Sequence, residues 1–214
     1  MGLFASQPQN YKQNLPYSIA FTANTVLIIG LGNPGKEYNL TRHNIGFMAL
    51  DAFAEANEFG KWQEQKKWHG LVAEKTISNT RVILLKPNTF MNLSGESAQT
   101  IASFYRIDTA HIVAIYDELS IPFGQIRSRI GGQSAGHNGV KSLIQQVGIN
   151  FGRIRIGIKN DISVKADASD FVLGKFTKSE QSHIPALLTE VNGIITEYIY
   201  GNVLPHDTRK ILVD

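Results

Sequence analysis

The apolar run Val26–Ile29 leads straight into Gly30-Leu31-Gly32-Asn33-Pro34-Gly35, and that junction constrains the fold more than any other stretch. A short apolar run bounded by turn residues reads as a buried strand. Gly-Asn-Pro-Gly then forces a sharp bend as the strand ends. Between Asn33 and Asn44 the chain presents amide, phenol, guanidinium and imidazole groups beside glycines that let a ligand approach the backbone. Loops at strand ends tend to carry function, so this one is predicted to be a site loop.

Strands and helices alternate through the rest of the chain. Phe47, Met48, Leu50, Phe53 and Ala54 recur at helical spacing and predict a helix over 45–59. Segments 68–77 and 81–85 read as a hairpin around Ser78-Asn79-Thr80. An irregular loop over 87–92 precedes a helix over 94–105. A strand over 111–116 leaves Asp117 just past its end. Strand 125–130, a glycine-rich loop over 131–139, helix 140–147 and strand 153–158 come next, then a long helix over 182–200 and a short one over 207–212. The alternation predicts one α/β domain over 25–214, a single mixed, twisted β-sheet flanked by helices on both faces. A chain of 214 residues, 43% hydrophobic, can bury one good core. Residues 1–24 are polar and acid-free, with Lys12 as their one charge, and are expected to form a flexible extension. They lack the apolar centre of a secretory signal and the arginines of a transit peptide.

Composition narrows the chemistry. The chain has no cysteine, which excludes disulfides and thiolate catalysis and suits a reducing compartment. No apolar run approaches the roughly 20 residues of a membrane helix. A net charge of +3 is only mildly basic. Its distribution says more, because no acid falls between Glu118 and Asp161, whereas Arg127, Arg129, Lys141, Arg153, Arg155 and Lys159 all do. Such a segment is an electrostatic footprint for polyanions.

Gly30 to Gly35 matches the dinucleotide pattern G-x-G-x-x-G. That motif needs a helix to begin among the glycines, and Pro34 disfavours helical geometry at Asn33. No cofactor is expected. His43, at a helix start, and Asp117, at a strand end, are the candidate proton-handling pair. Local signal alone also fits a solvated histidine and an ordinary turn acid. Asn33, Asn92 and Asn138 stand on separate loops, where amides could bind ester carbonyls and ribose hydroxyls or simply make turns. His137 is expected to hold its own loop. Tyr38 and Phe90 could stack on bases, wall a pocket or pack. The histidines lack zincin spacing and no serine stands in G-x-S-x-G, so neither a metal nor a covalent nucleophile is expected.

Five ordered blocks carry a resemblance: Gly30 to Gly35, Thr41-Arg42-His43-Asn44, Phe90-Met91-Asn92-Leu93-Ser94-Gly95, Asp117-Glu118-Leu119 and Gly136-His137-Asn138-Gly139. With Arg153 to Ile158 and Phe171-Val172-Leu173-Gly174 they make the chain resemble bacterial-type peptidyl-tRNA hydrolases from about Thr25 onward. The resemblance implies a monomeric, cytoplasmic, cofactor-free enzyme, with no membrane partner, that cleaves the ester between a peptide and the 3′ ribose of tRNA. It implies His43 as general base, Asp117 as its orienting partner and Asn33 at the first peptide linkage. Asn92 and Asn138 would bind substrate and position water, with Tyr38, Phe90 and Met91 shaping the cleft at the 3′ CCA end. Arg129 and Arg155 would clamp the 5′ phosphate at the acceptor stem. The alternative is a binding scaffold similar to the chloroplast intron-splicing relatives. Two positions depart from the family pattern, Ser120 where an acid is common and Ala135 where glycine is usual.

Overall fold

The computed structural model describes residues 24–163 and 167–213. The expected extension therefore lies outside the described residues, except for Asn24, which opens the first strand. In chain order the elements are β1 (Asn24–Gly30), α1 (Ile45–Ala56), β2 (Gln63–Gln65), β3 (Gly70–Ile77), β4 (Thr80–Pro87), α2 (Ser94–Tyr105) and β5 (Ile112–Pro122). They continue with β6 (Gln125–Ile130), α3 (Asn138–Val147), β7 (Gly152–Lys159), α4 (Ala168–Leu173), α5 (Lys178–Gly201) and β8 (Thr208–Lys210). Among the described residues the strands form one eight-stranded sheet in the order β2-β3-β4-β1-β5-β7-β6-β8. The β4, β1, β5 and β7 strands run parallel at its centre, and antiparallel strands close both ends.

Alternation along β1 shows why both faces are covered. Val26 and Ile28 enter one apolar cluster, with Ile45, Leu50 and Phe53 of α1 and Leu187 and Val191 of α5. Leu27 and Ile29 enter the other, with Ala98 and Ile101 of α2 and Val140 and Leu143 of α3. The sheet is mixed and sandwiched by helices, as the sequence predicts. Two glycines set how closely α1 approaches it. A side chain on Gly46 would run into the Ile115 carbonyl, and one on Gly30 into the Gly46 carbonyl.

Three elements differ from the sequence reading. Asp117 does not follow β5 but lies within it, because β5 keeps pairing with β7 through Glu118 after its apolar run has ended. Segment 207–212 is not helical. It supplies β8, which pairs with the outer edge of β6. The α4 helix carries no sequence signal of its own, since six residues hold less than two turns of periodicity. Within β7 an arginine is buried. Arg153 has 0% exposure and donates to the carbonyls of Gly132 and Gln133.

Candidate active site

The site forms where β1 stops and β5 continues. Gly30 pairs with Ile115, so Asp117 projects beyond the last residue of its neighbour. The chain leaving β1 turns through Asn33 and returns to α1 by a short 3-10 turn, Arg42–Asn44, which carries His43. His43 Nδ1 lies 2.9 Å from Asp117 Oδ1. His137 Nε2 reaches the same oxygen at 3.1 Å, with both rings and the carboxylate largely buried.

Burial pushes the Asp117 carboxyl upward in pKa. The charges and hydrogen bonds of His43 and His137 outweigh that push and hold it well below the usual carboxylate range. An ionised carboxylate only accepts, so both facing nitrogens donate. The His43 tautomer therefore carries its proton on Nδ1 and leaves Nε2 with a free lone pair. In His137 the other nitrogen is already used. Nδ1 accepts from the amides of Gly139 at 3.1 Å and Val140 at 3.3 Å, capping α3. His137 thus holds its loop, as expected, and steadies Asp117 as well. Sequence reasoning missed that second contact, because nothing local pairs residues on separate elements. The three groups could offer ligand atoms within 4.8 Å of one another. To chelate a cation, the two imidazoles would have to give up the N–H groups that hold Asp117.

Asn33 is fixed at its backbone and at its side chain. Its N–H donates to Asn44 Oδ1, and Asn44 Nδ2 donates back to the Asn33 carbonyl, both at 2.9 Å. Its Oδ1 accepts from the Met91 amide at 2.8 Å. The amide oxygen is consumed, so Asn33 presents N–H donors to the cleft.

His43, Asp117, Asn33, Phe90, Met91, Asn92 and Asn138 all border one cavity of about 740 Å³, within the usual range for ligand sites. Asp167, Ser169 and Val172, in and beside α4, close another side, and sequence reasoning missed all three. Tyr38 is not brought to this wall; its carbonyl accepts from Thr41 Oγ1. Arg129 and Arg155 also stand apart, Arg155 one β-ladder and Arg129 two ladders from β5. Arg127 pairs with Arg155 and Arg129 with Arg153 across β6 and β7, which puts four guanidinium groups on one face. Burial lowers the Arg155 pKa, and the like charges of Arg129 and Arg127 add to that. The Nε atoms of Arg127, Arg129 and Arg155 are buried without a protein partner among the described residues. Glu118, 4.0 Å from Arg155, offsets part of that charge.

An imidazole with one lone pair turned to a cleft, held from behind by a carboxylate, can take a proton from water. Fold and site together define an open α/β sheet whose carboxyl edge carries a histidine–aspartate pair facing a cleft. The family model described as peptidyl-tRNA hydrolase matches residues 27–210. A Bartonella bacilliformis peptidyl-tRNA hydrolase is 44% identical over 177 residues, covering 83% of this chain and 90% of the relative. One from Gloeobacter violaceus is 45% identical over 163 residues, covering 76% of this chain and 81% of its own. The crystal structure of the Acinetobacter baumannii peptidyl-tRNA hydrolase superposes with a TM-score of 0.76 at 37% identity, covering 84% of this chain and 91% of that one. The chain belongs to the peptidyl-tRNA hydrolase family.

Proposed function

We propose that the chain hydrolyses the ester joining a peptide to the 3′ ribose of tRNA, with His43 as general base and no covalent intermediate. The observation that carries this reading is the His43–Asp117 contact of 2.9 Å, which turns a lone pair toward the cleft. Water gives its proton to His43 Nε2 as its oxygen adds to the ester carbonyl. Asp117, ionised, stabilises the imidazolium that forms. The tetrahedral intermediate then expels the ribose oxygen, which takes the proton back from His43. An alkoxide leaving group needs no acyl-enzyme.

Asn33 sets which substrate is taken. Its donors suit the carbonyl of an acylated amino group, whereas a free ammonium would face N–H against N–H. Asn92 and Asn138 bind the substrate and position water, and Phe90 and Met91 shape the wall. Arg129 and Arg155 take the terminal phosphate, whose charge relieves the crowding among the arginines. Such contacts read no base sequence, which suits an enzyme serving many tRNAs. A monomer working in the cytoplasm, where translation generates the substrate, belongs to the same reading. So does a domain spanning residues 25–214. A pure binding scaffold would have no use for the tautomer that the dyad enforces.

The test is release of free tRNA from N-acetyl-aminoacyl-tRNA. The wild-type chain is expected to cleave it and to spare the unblocked ester. His43→Ala is expected to lose roughly 10²–10⁴-fold in turnover with its fold intact. Near-normal turnover in the variant would refute the assignment.

A further inference from the structure

Arg153 is the one arginine of the basic row that is wholly enclosed, at 0% exposure. Among the described residues it makes no ion pair. Glu118 pairs with Arg155, while Arg153 spends its donors on the carbonyls of Gln133, at 2.7 Å, and Gly132. Its guanidinium also lies 4.6 Å over the Phe151 ring. A buried cation is costly unless it is compensated, and the compensation here comes from the backbone of the loop over 131–139.

That loop carries His137 and Asn138, and its own sequence does little to fix its path. Gly131, Gly132, Ala135 and Gly136 all hold positive φ, from 49° to 105°, and glycine takes either sign of φ with equal ease. The loop is tied at its start by the Gly131 amide, 3.0 Å from the Phe151 carbonyl, and near its end by the His137 amide, 2.9 Å from the Ser134 carbonyl. Arg153 supplies the link between those two points. It reaches the far end of the loop as well. Burial lowers the Arg153 pKa, and the Tyr116 hydroxyl is the largest influence opposing that. The Tyr116 ring stands edge-on to His137, with centroids 4.9 Å apart, and His137 in turn holds Asp117. Arg153 shares a sheet face with Arg127, Arg129 and Arg155. The Arg155 side chain keeps 14% exposure, whereas Arg153 has no surface to offer a phosphate.

We propose that Arg153 is a positioning residue for hydrolysis, bracing the loop that carries His137 and Asn138 without touching the substrate. The inference rests on the hydrolase reading above. The experiment compares wild type, Arg153→Lys, His137→Ala and the double variant on full N-acetyl-aminoacyl-tRNA and on its short 3′ fragment. Lysine keeps the charge but lacks the planar fork that reaches two carbonyls at once. Arg153→Lys is expected to lose roughly ten- to a hundredfold in kcat on both substrates. Its affinity for deacylated tRNA, and the salt dependence of that affinity, should not change. In the double variant the losses are expected to be less than multiplicative, because both substitutions act on one loop. Tyr116→Phe keeps the ring against His137 and removes the hydroxyl beside Arg153. It is expected to lose roughly threefold in kcat with tRNA affinity unchanged, and it decides the question if Arg153→Lys does not fold. Weaker, less salt-dependent binding of tRNA would make Arg153 a phosphate contact and overturn the assignment. An unchanged kcat or fully multiplicative losses would overturn it too, while the hydrolase reading stands. A wild-type chain that cleaves neither substrate would overturn the hydrolase reading, and this one with it.

Discussion

His137 spends both ring nitrogens, one on the amides of Gly139 and Val140 and the other on Asp117. Protonating Nδ1 would break the cap of α3, so in the proposed mechanism this ring positions Asp117 and His43 cycles. His137→Ala is expected to cost about 1 kcal/mol of stability through the lost cap. Its loss of turnover should be about tenfold, one hydrogen bond's worth, far less than for His43→Ala. Thermal melts beside single-turnover rates check both parts, and equal rate losses in the two variants would refute the division of roles. Much of this site is legible in the residues, because glycines mark the turns of Asn33 and Asn138, and His43 and Asn92 stand on irregular segments between periodic elements. What stays hidden is mutual: the shared carboxylate oxygen, and the Met91 amide that orients Asn33. Both departures from the family pattern have a local account. Ser120 donates through its amide and hydroxyl to Glu118, at 3.1 and 2.9 Å. Ala135 sits at a φ of 49°, which explains why glycine is the easier residue there.

Among the elements, one tight steric constraint falls on the contact between α1 and the strands beneath it. Gly46 lies against the Ile115 carbonyl and the Leu31 backbone, which cannot move without breaking the β1–β5 pairing. Gly46→Ala is therefore expected to destabilise by about 2–3 kcal/mol through overpacking, even though alanine is the better helix former. Denaturant unfolding measures it; an unchanged midpoint would mean that α1 can slide. Long periodic elements such as α1, α2 and α5 are readable from the sequence. The start of α5 falls earlier than apolar spacing predicts, because its signal is the capping box of Thr177 and Glu180. The short β8 strand takes its form from the β6 edge, so no local pattern could announce it.

Across the whole molecule, charge is sorted by strand. The acid-free segment seen in the sequence becomes a row of arginines on β7 and β6, beside a cleft whose lining carries Asp117, Glu118 and Asp167. Replacing Arg129 and Arg155 together with alanine is expected to weaken binding of full tRNA and to lower the slope of log affinity against log salt by roughly 1.5–2. Cleavage of a short 3′ fragment should be spared, and equal losses on both substrates would argue against the clamp. The division between legible and hidden has one cause at this scale. Charge distribution survives in a linear sequence, whereas the order of strands does not.

The turn that carries His43 is held from a great distance along the chain. Arg42 pairs with Glu180, 138 positions away, at 2.9 Å, and its amide donates to the Gly174 carbonyl at 3.0 Å. Its guanidinium lies 4.2 Å over Phe171. During synthesis the amino-terminal half must therefore leave the ribosome with its base unanchored and wait for α4 and α5 to emerge. The turn that carries His43 can therefore take its final form only after residue 180 has been made.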